Sequence, residues 1–551
     1  MKKNFKKMMA LVIAIVMVLG MSMSVFADDT QASVPTSQTF ADDNAADADG
    51  KYTISVASDD THTYKVYQIL TGTLTAGESK LGNPQWGADA KGGDDNKVDD
   101  FITAITASGL TNVQIDDLVK AQLKDGATGQ GTVSATSPLD VVPGYYLIVD
   151  TTDTLADGDA KSLNIVAVFN DIEITPKKGT VESEKHVDDQ NDSDSTDKST
   201  LKDSADYDIG DSIPYTLTMK LPADYANYKQ YKIVFTDDMS AGLTLDTDSV
   251  KIYYGAADTT GESISFTAGG TSAYTTPSNG TVYKYTIDNL KADTATAAQK
   301  ALKAGDVIKI TYTATLNSNA VIGSAGNPNK YKVDFSSNPN QDAGGTPDTN
   351  DTPWDTNIVF TYKTVFNKVD ADQNPLTGAD FTLYKFVENE AGSDTYDGKK
   401  GTWTDVTTLG SGTNKPSKEK GDYTKGEGAN AKTAANAKFT FKGIDAGVYK
   451  LVESTTPPTY NTIEDQIFTI TATHELVSDN PTLTELTGTG GAEFTMTSSI
   501  PDGSLTTEIK NQQGAELPST GGMGTTMFYV IGAILVLGAG VVLISRRRMS
   551  A

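Results

Sequence analysis

A chain of tandem antiparallel β-sandwiches is the fold class this sequence predicts, and three observations predict it. Between two apolar ends the chain shows little helical periodicity. Short alternating runs rich in Thr, Val, Tyr and Ile recur throughout, among them YTISVA, YKVYQIL, YYLIVD, YKIVFTDD, VIKITYTATL, KFTFKGI, GVYKLVES and TTEIKN. Gly, Asn, Asp and Pro separate these runs, as turns separate the half-buried strands of a two-sheet core.

Helix is expected in two places, from Val98 to Leu123 and in a short piece from Asp293 to Leu302. Boundaries are expected at ITPKKGT (Ile174 to Thr180) and in a linker from Asn338 to Thr356, where Gly, Pro and Asp concentrate. They divide the middle of the chain into residues 28–176, 177–358 and 359–514. Within the third segment, Glu388 to Ala437 is polar and rich in Gly, Lys, Ser and Asn, and is expected to be a surface insertion that breaks the strand pattern.

The ends set the compartment. Four lysines precede an apolar run from Met8 to Met21, and Val25 and Ala27 stand at the −3 and −1 positions of a cleavage site. Residues 1–27 therefore read as a secretory signal peptide. Met527 to Ile544 holds no charge and, as a helix, would span roughly 27 Å, about the thickness of a hydrocarbon core. Arg546, Arg547 and Arg548 follow, so the positive-inside rule keeps that tail in the cytoplasm. The 551 residues include no cysteine, so disulfides cannot brace the exported part. With 45 basic against 72 acidic residues the net charge is −27, which argues against nucleic acid or an anionic membrane as a partner.

Just before the apolar segment stands LPSTGG, and Leu517, Pro518, Ser519, Thr520 and Gly521 resemble the LPxTG cell-wall sorting signal. The resemblance implies that a sortase cysteine attacks the Thr520–Gly521 bond and holds the threonine as a thioester until an amine takes it. Residues 515–551 then form the sorting motif, transmembrane helix and basic tail.

Two further resemblances cover most of the exported chain. YKVYQIL, LGNPQWG, PGYYLIVDTT and DIEITPK resemble the N-terminal domain of Gram-positive backbone pilins. FNKVDADQNPLTGADFTLYK and GVYKLVESTTPPTYN resemble the opening hairpin and "E-box" of the collagen-adhesin B-type domain. The box keeps Glu453, Pro458 and Tyr460, whereas its usual alanine and glycine positions have changed. Together they imply an elongated array of immunoglobulin-like and B-type sandwiches, anchored to peptidoglycan as a cell-surface fimbrium. The implied partners are other copies of the chain, pilus-specific and housekeeping sortases, and a host surface ligand.

Strand parity picks out residues that carry chemistry. In YKTVFNK, Lys368 shares a face with Tyr362 and Phe366; in GVYKLVE, Glu453 shares one with Tyr449 and Leu451; in LTTEIKN, Asn511 shares one with Leu505 and Ile509. A lysine, an acid and an asparagine thus point toward apolar surface, where unpaired charge is costly. A lysine–glutamate ion pair at a sandwich edge is the plainer alternative. The B-type resemblance instead implies an intramolecular isopeptide triad. Burial favours the uncharged forms of both lysine and acid, so neutral Lys368 can attack the Asn511 carboxamide while Glu453 relays protons and ammonia leaves. Such a reaction occurs once per molecule and is maturation, not enzymatic turnover.

The second segment repeats the theme with Lys185 and Asp237, whose parity matches Val187 and Phe235, respectively. Its asparagine is open. Asn338 ends the KVDFSSN run but needs a bulge to face inward; Asn329 has the right parity but enters the strand early. The resemblance to pilins makes Lys177 in ITPK the amine that receives Thr520 of the next subunit, with Lys178 as its neighbour and competitor. No metal or cofactor site is expected. His62, His186 and His474 lack ligand spacing. Pro375 and Phe381 spoil the calcium-loop pattern begun at Asp370. The acidic stretch Asp188–Asp197, which could hold calcium loosely, reads as a solvated loop.

Overall fold

The computed structural model describes residues 46–513, apart from 48, 75–80, 93–94, 106, 108–109, 111, 175–179, 258–263, 269–281, 342 and 492–493, together with Val536. The expected signal peptide, sorting motif and basic tail lie outside the described residues, as does the expected apolar span except Val536. Among the described residues, no helix is long and apolar enough to cross a membrane.

Strands dominate, as the alternation predicts, and they sort into three pairs of sheets. In the first pair, Tyr52–Val56 lies between Leu139–Val141 and a parallel Ile172–Ile174. It faces a sheet built on Tyr64–Leu74, Gly144–Asp150 and Leu163–Val168. The expected long helix is two, Asp95–Ile105 and Asn112–Lys120. Val98, Phe101, Ile102 and Ile105 recur at helical spacing and pack with Ile69, Tyr145 and Leu147 in a second core, on the sheet face opposite the one that meets Tyr52–Val56.

The middle pair sets Glu182–Gln190, Ser212–Lys220 and Val307–Leu316 against Ile233–Met239, Asn327–Ser336 and Asp355–Phe360. Strict alternation makes the core: Ile213, Tyr215, Leu217 and Met219 face Phe235, Tyr331, Val333 and Phe335. The expected short helix is one turn, Ala297–Lys300, opened by a Thr296–Gln299 capping box. The expected linker is partly strand, because Thr349–Asp351 and Asp355–Phe360 both pair with Asn327–Ser336. Ile358, Val359 and Phe360 also pair with Ser204–Asp206, so the middle sheets extend two residues past the expected boundary at 358.

The third pair sets Tyr362–Val369 between Lys432–Ile444 and a parallel Ser504–Lys510. The facing sheet is built on Asp380–Glu388, Gly447–Thr455 and Gln466–His474. The segment from Glu388 to Ala437 departs from its expected irregular form. It contributes Asp394–Tyr396, Lys399–Asp405, Ser417–Lys425 and the start of Lys432–Ile444. Much of the Ser417–Lys425/Lys432–Ile444 ribbon is wet on both faces, so its ladder forms without the apolar alternation that marks a half-buried strand.

Backbone contacts join the sheets end to end. Gly158 of the first pair donates to Asp351 O at 2.7 Å and accepts from Val181 N at 3.1 Å. Gly323 and Gly503 meet back to back between the middle and third pairs. Both have positive φ, and a Cβ on Gly503 would lie 2.5 Å from Gly323 Cα.

Candidate lysine–asparagine sites

In the third pair, Lys368 sits next to last in its strand with no exposed surface. The parallel register sets it opposite Ile509, and Asn511 N donates to Val369 O at 3.1 Å, which holds Asn511 just beyond the strand end. Glu453 enters from the facing sheet, 6 % exposed. Its two carboxylate oxygens accept from Asn511 Nδ2 at 2.8 and 3.0 Å, and Ile463 N donates to Oε2 at 3.0 Å. Lys368 Nζ donates to the carbonyls of Val369 and Ile509 at 3.1 and 2.9 Å. Burial pulls its ammonium down to about 8, against the opposing charges of Glu453 and Asp370. Asn511 Oδ1 is buried and has no hydrogen-bond partner, a group that ordinarily costs about 1–3 kcal/mol to leave unpaired.

In the middle pair, Lys185 is fully buried on Glu182–Gln190. Its Nζ donates to Asp237 Oδ1 at 2.7 Å and to Tyr312 Oη at 3.1 Å. The rings of Tyr215 and Tyr312, stacked 5.2 Å apart, lie 5.3 and 5.8 Å from Nζ. Asp237 comes from the facing sheet, where it pairs with Tyr331. Asn329 lies two residues before Tyr331 and so shares the inward face. Its Nδ2 donates to Tyr312 Oη at 2.9 Å. Burial drives the Lys185 ammonium below its usual range, against the pull of Asp237. Asp237 Oδ2 and Asn329 Oδ1 are buried without a hydrogen-bond partner.

Of the two asparagines left open by parity, the structure brings Asn329 into this ensemble and leaves Asn338 out. The strand ends at Ser336, and Asn338 turns outward to donate to Asp348 at 2.9 Å. No bulge reverses its parity. The strand Asn327–Ser336 begins early enough to include Asn329. Lys177, Lys178, Leu517, Pro518, Ser519, Thr520 and Gly521 lie outside the described residues.

Three participants were missed. Tyr312 was legible in VIKITYTATL, where it shares parity with Ile308 and Ile310. Asn357 is buried opposite Asn329 and donates to Lys185 O at 3.0 Å. Lys385 carried no signal at all: its ammonium is buried between Asp192, Asp208 and Asp445 at 3.0, 2.8 and 2.5 Å. Burial opposes that charge, but Asp208, Asp445, Tyr449 and Asp192 hold it well above the usual lysine range.

The stretch Asp188–Asp197 is therefore not simply a solvated loop. Besides Asp192, the buried Ser193 hydroxyl donates to Phe386 O at 2.8 Å and accepts from Val448 N at 2.8 Å. Asp211, in the same cluster, is pushed up to about 8 by burial and by Asp208. Asp192, Asp208, Asp211 and Asp445 have the spacing of a metal site, but the Lys385 ammonium already supplies its cation.

Residues 363–482 match the family model for the SpaA prealbumin-like fold domain, and residues 509–550 match the LPXTG cell wall anchor motif. The trypsin-resistant surface T6 protein of Streptococcus pyogenes serotype M6 is 26% identical over 389 residues, covering 62% of this chain and 65% of the relative. The matched part is thus less than two thirds of that relative's length. Among solved structures, the T6 backbone pilin of the same serotype is similar at 16% identity and a TM-score of 0.45, over 84% of this chain and 98% of that one. The full-length major pilin SpaD from Corynebacterium diphtheriae is similar at 19% identity and a TM-score of 0.40, over 85% and 97%.

Proposed function

We propose that this chain is the backbone subunit of a sortase-assembled pilus, cut at Thr520, joined there to Lys177 of the next copy and finally anchored to peptidoglycan. The cell-wall anchor match over residues 509–550 and the likeness to the T6 surface protein support this reading. The observation that carries the internal chemistry is the pair of buried lysine–acid–asparagine ensembles, each starting from the first strand of its sandwich. We read the chain as three domains, with the strand pairing of the middle one running to Phe360 rather than stopping at 358.

In each ensemble the buried ammonium hands its proton to the acid, which leaves an uncharged amine. The lysine nitrogen then attacks the asparagine Cγ, the Nζ–Cγ bond forms, and the Cγ–Nδ2 bond breaks as Nδ2 gains a proton and leaves as ammonia. The products are Lys368–Asn511 and Lys185–Asn329 amides. Glu453 touches the leaving nitrogen directly in one site, and Asp237 touches the nucleophile in the other. Polymerisation is tested on cell-wall extracts. A high-mass ladder resistant to denaturant is expected, and Lys177→Ala should reduce it to monomer. A ladder lost only in Lys178→Ala moves the linkage by one residue. Wall-anchored monomer in the unaltered chain would instead make it a solitary adhesin.

A further inference from the structure

The geometry points to Tyr312 as the catalytic acid–base of the middle site, carrying the proton from the attacking nitrogen to the leaving one. This inference rests on the reading of Lys185 and Asn329 as the reacting pair.

The two sites face the same problem with acids of different reach. In the third unit, Glu453 contacts Asn511 Nδ2 through both oxygens, so the acid can deliver the proton that ammonia needs. In the middle unit the acid is one methylene shorter. Asp237 Oδ1 is committed to Lys185 Nζ at 2.7 Å, and Oδ2 has no partner. The amide nitrogen of Asn329 instead meets Tyr312 Oη at 2.9 Å, and the same oxygen stands 3.1 Å from Lys185 Nζ. One hydroxyl therefore touches both nitrogens whose protonation must change.

The sequence around it has no packing need for that hydroxyl. Ile308, Ile310, Ala314 and Leu316, its inward neighbours on the strand, are apolar and fully buried. A phenylalanine would fill the same place against Tyr215. A phenol in such a core needs polar partners, and the two reacting groups are among the partners of this one.

The step balances. Attack by neutral Lys185 on Asn329 Cγ gives a tetrahedral carbon bearing an N–H-rich Nζ and the original Nδ2. Tyr312 gives its hydroxyl proton to Nδ2 and takes one from Nζ. The Cγ–Nδ2 bond breaks, ammonia departs, and the phenol ends as it began. No oxidant, metal or co-reactant is required.

The test uses the full chain synthesised cell-free and sampled over time, with peptide mapping to score each crosslink separately. In Tyr312→Phe the Lys185–Asn329 bond should form at least about 100-fold more slowly, in the range for loss of a general acid–base. The Lys368–Asn511 bond in the same molecules should form at its normal rate. Formation of the middle bond at the unaltered rate in Tyr312→Phe overturns the inference. If Tyr312→Phe does not fold, fluorotyrosine at 312 decides the matter, because it keeps the hydroxyl and raises its acidity. A shift in the pH profile of middle-bond formation supports the relay, and an unchanged profile overturns it. Absence of any Lys185–Asn329 crosslink in the unaltered chain would instead refute the underlying assignment, whatever Tyr312 does.

Discussion

The middle and third units hold the same three residue types in different frames. In the third, Lys368 and the chain leading into Asn511 belong to adjacent parallel strands of one sheet, and the acid reaches in from the facing sheet. In the middle, Lys185 lies on one sheet, while Asp237 and Asn329 share the other. An amide in the third unit would tie the first strand to the last, edge to edge. An amide in the middle unit would staple two sheets face to face. If both ensembles react as proposed, the chemistry would ask for a buried, apolar pocket and a nearby acid, and would tolerate more than one arrangement of strands around them.

The largest expected effect is loss of a bond. By analogy with a disulfide, closing a loop of more than 100 residues stabilises by about 4–5 kcal/mol. Glu453→Ala should leave the intact mass about 17 Da above the value calculated for the same variant carrying the Lys368–Asn511 amide, the ammonia being retained when the bond does not form, and lower the thermal midpoint of the third unit. Lys185→Ala should do the same for the middle unit alone. An unaltered chain whose mass shows no ammonia loss would end the comparison.

Next comes the junction between the two units. Lys385→Met removes the cation from a buried cluster of aspartates, and breaking a buried ion network in this way costs about 3–5 kcal/mol. Gly503→Ala should also loosen the junction, since it has φ +57 and its Cβ would strike Gly323. Differential scanning calorimetry should then resolve two transitions where the unaltered junction gives coupled unfolding. Unchanged coupling in both variants would refute a rigid junction.

The pH dependence sharpens the contrast between the sites. Lys368 attacks only as the uncharged amine, and it loses its proton at about 8. The rate of Lys368–Asn511 formation should therefore rise as pH climbs through that value and level off above it. A rate unchanged across that interval would mean that deprotonation of Lys368 does not limit the bond.

The smallest effect belongs to the junction acids. Burial and Asp208 push the Asp211 carboxyl up to about 8 in the folded chain, from an ordinary 3.8. Between those values the native state holds more protons than the unfolded one, so stability contributed here falls as pH rises from about 4 to 8. Asp211→Asn should flatten that slope. An unchanged slope would remove Asp211 from the cluster's titration.

Much of the candidate chemistry could be read from strand parity. Period-2 alternation fixes which way Lys368, Glu453, Asn511, Lys185 and Asp237 point, because a strand that buries one face has no freedom to turn one side chain outward. The same rule made Asn329 eligible. What parity could not supply was where each strand begins and ends. That depends on pairing with a neighbour far along the chain, and it decided between Asn329 and Asn338.

The sequence by itself therefore determined the sandwich class, the inward faces and the residue types available for crosslinking, since these follow from local alternation and turn chemistry. Tertiary structure alone decided the partners. Lys385 reads as an ordinary strand lysine until Asp192, Asp208 and Asp445, the first two 193 and 177 residues upstream, close around it. The polar stretch after Glu388 reads as a loop until backbone hydrogen bonds, which carry no side-chain signature, make it a ribbon. Distances between groups remote in sequence are set by how whole sheets pack, and no periodicity within a single strand encodes them.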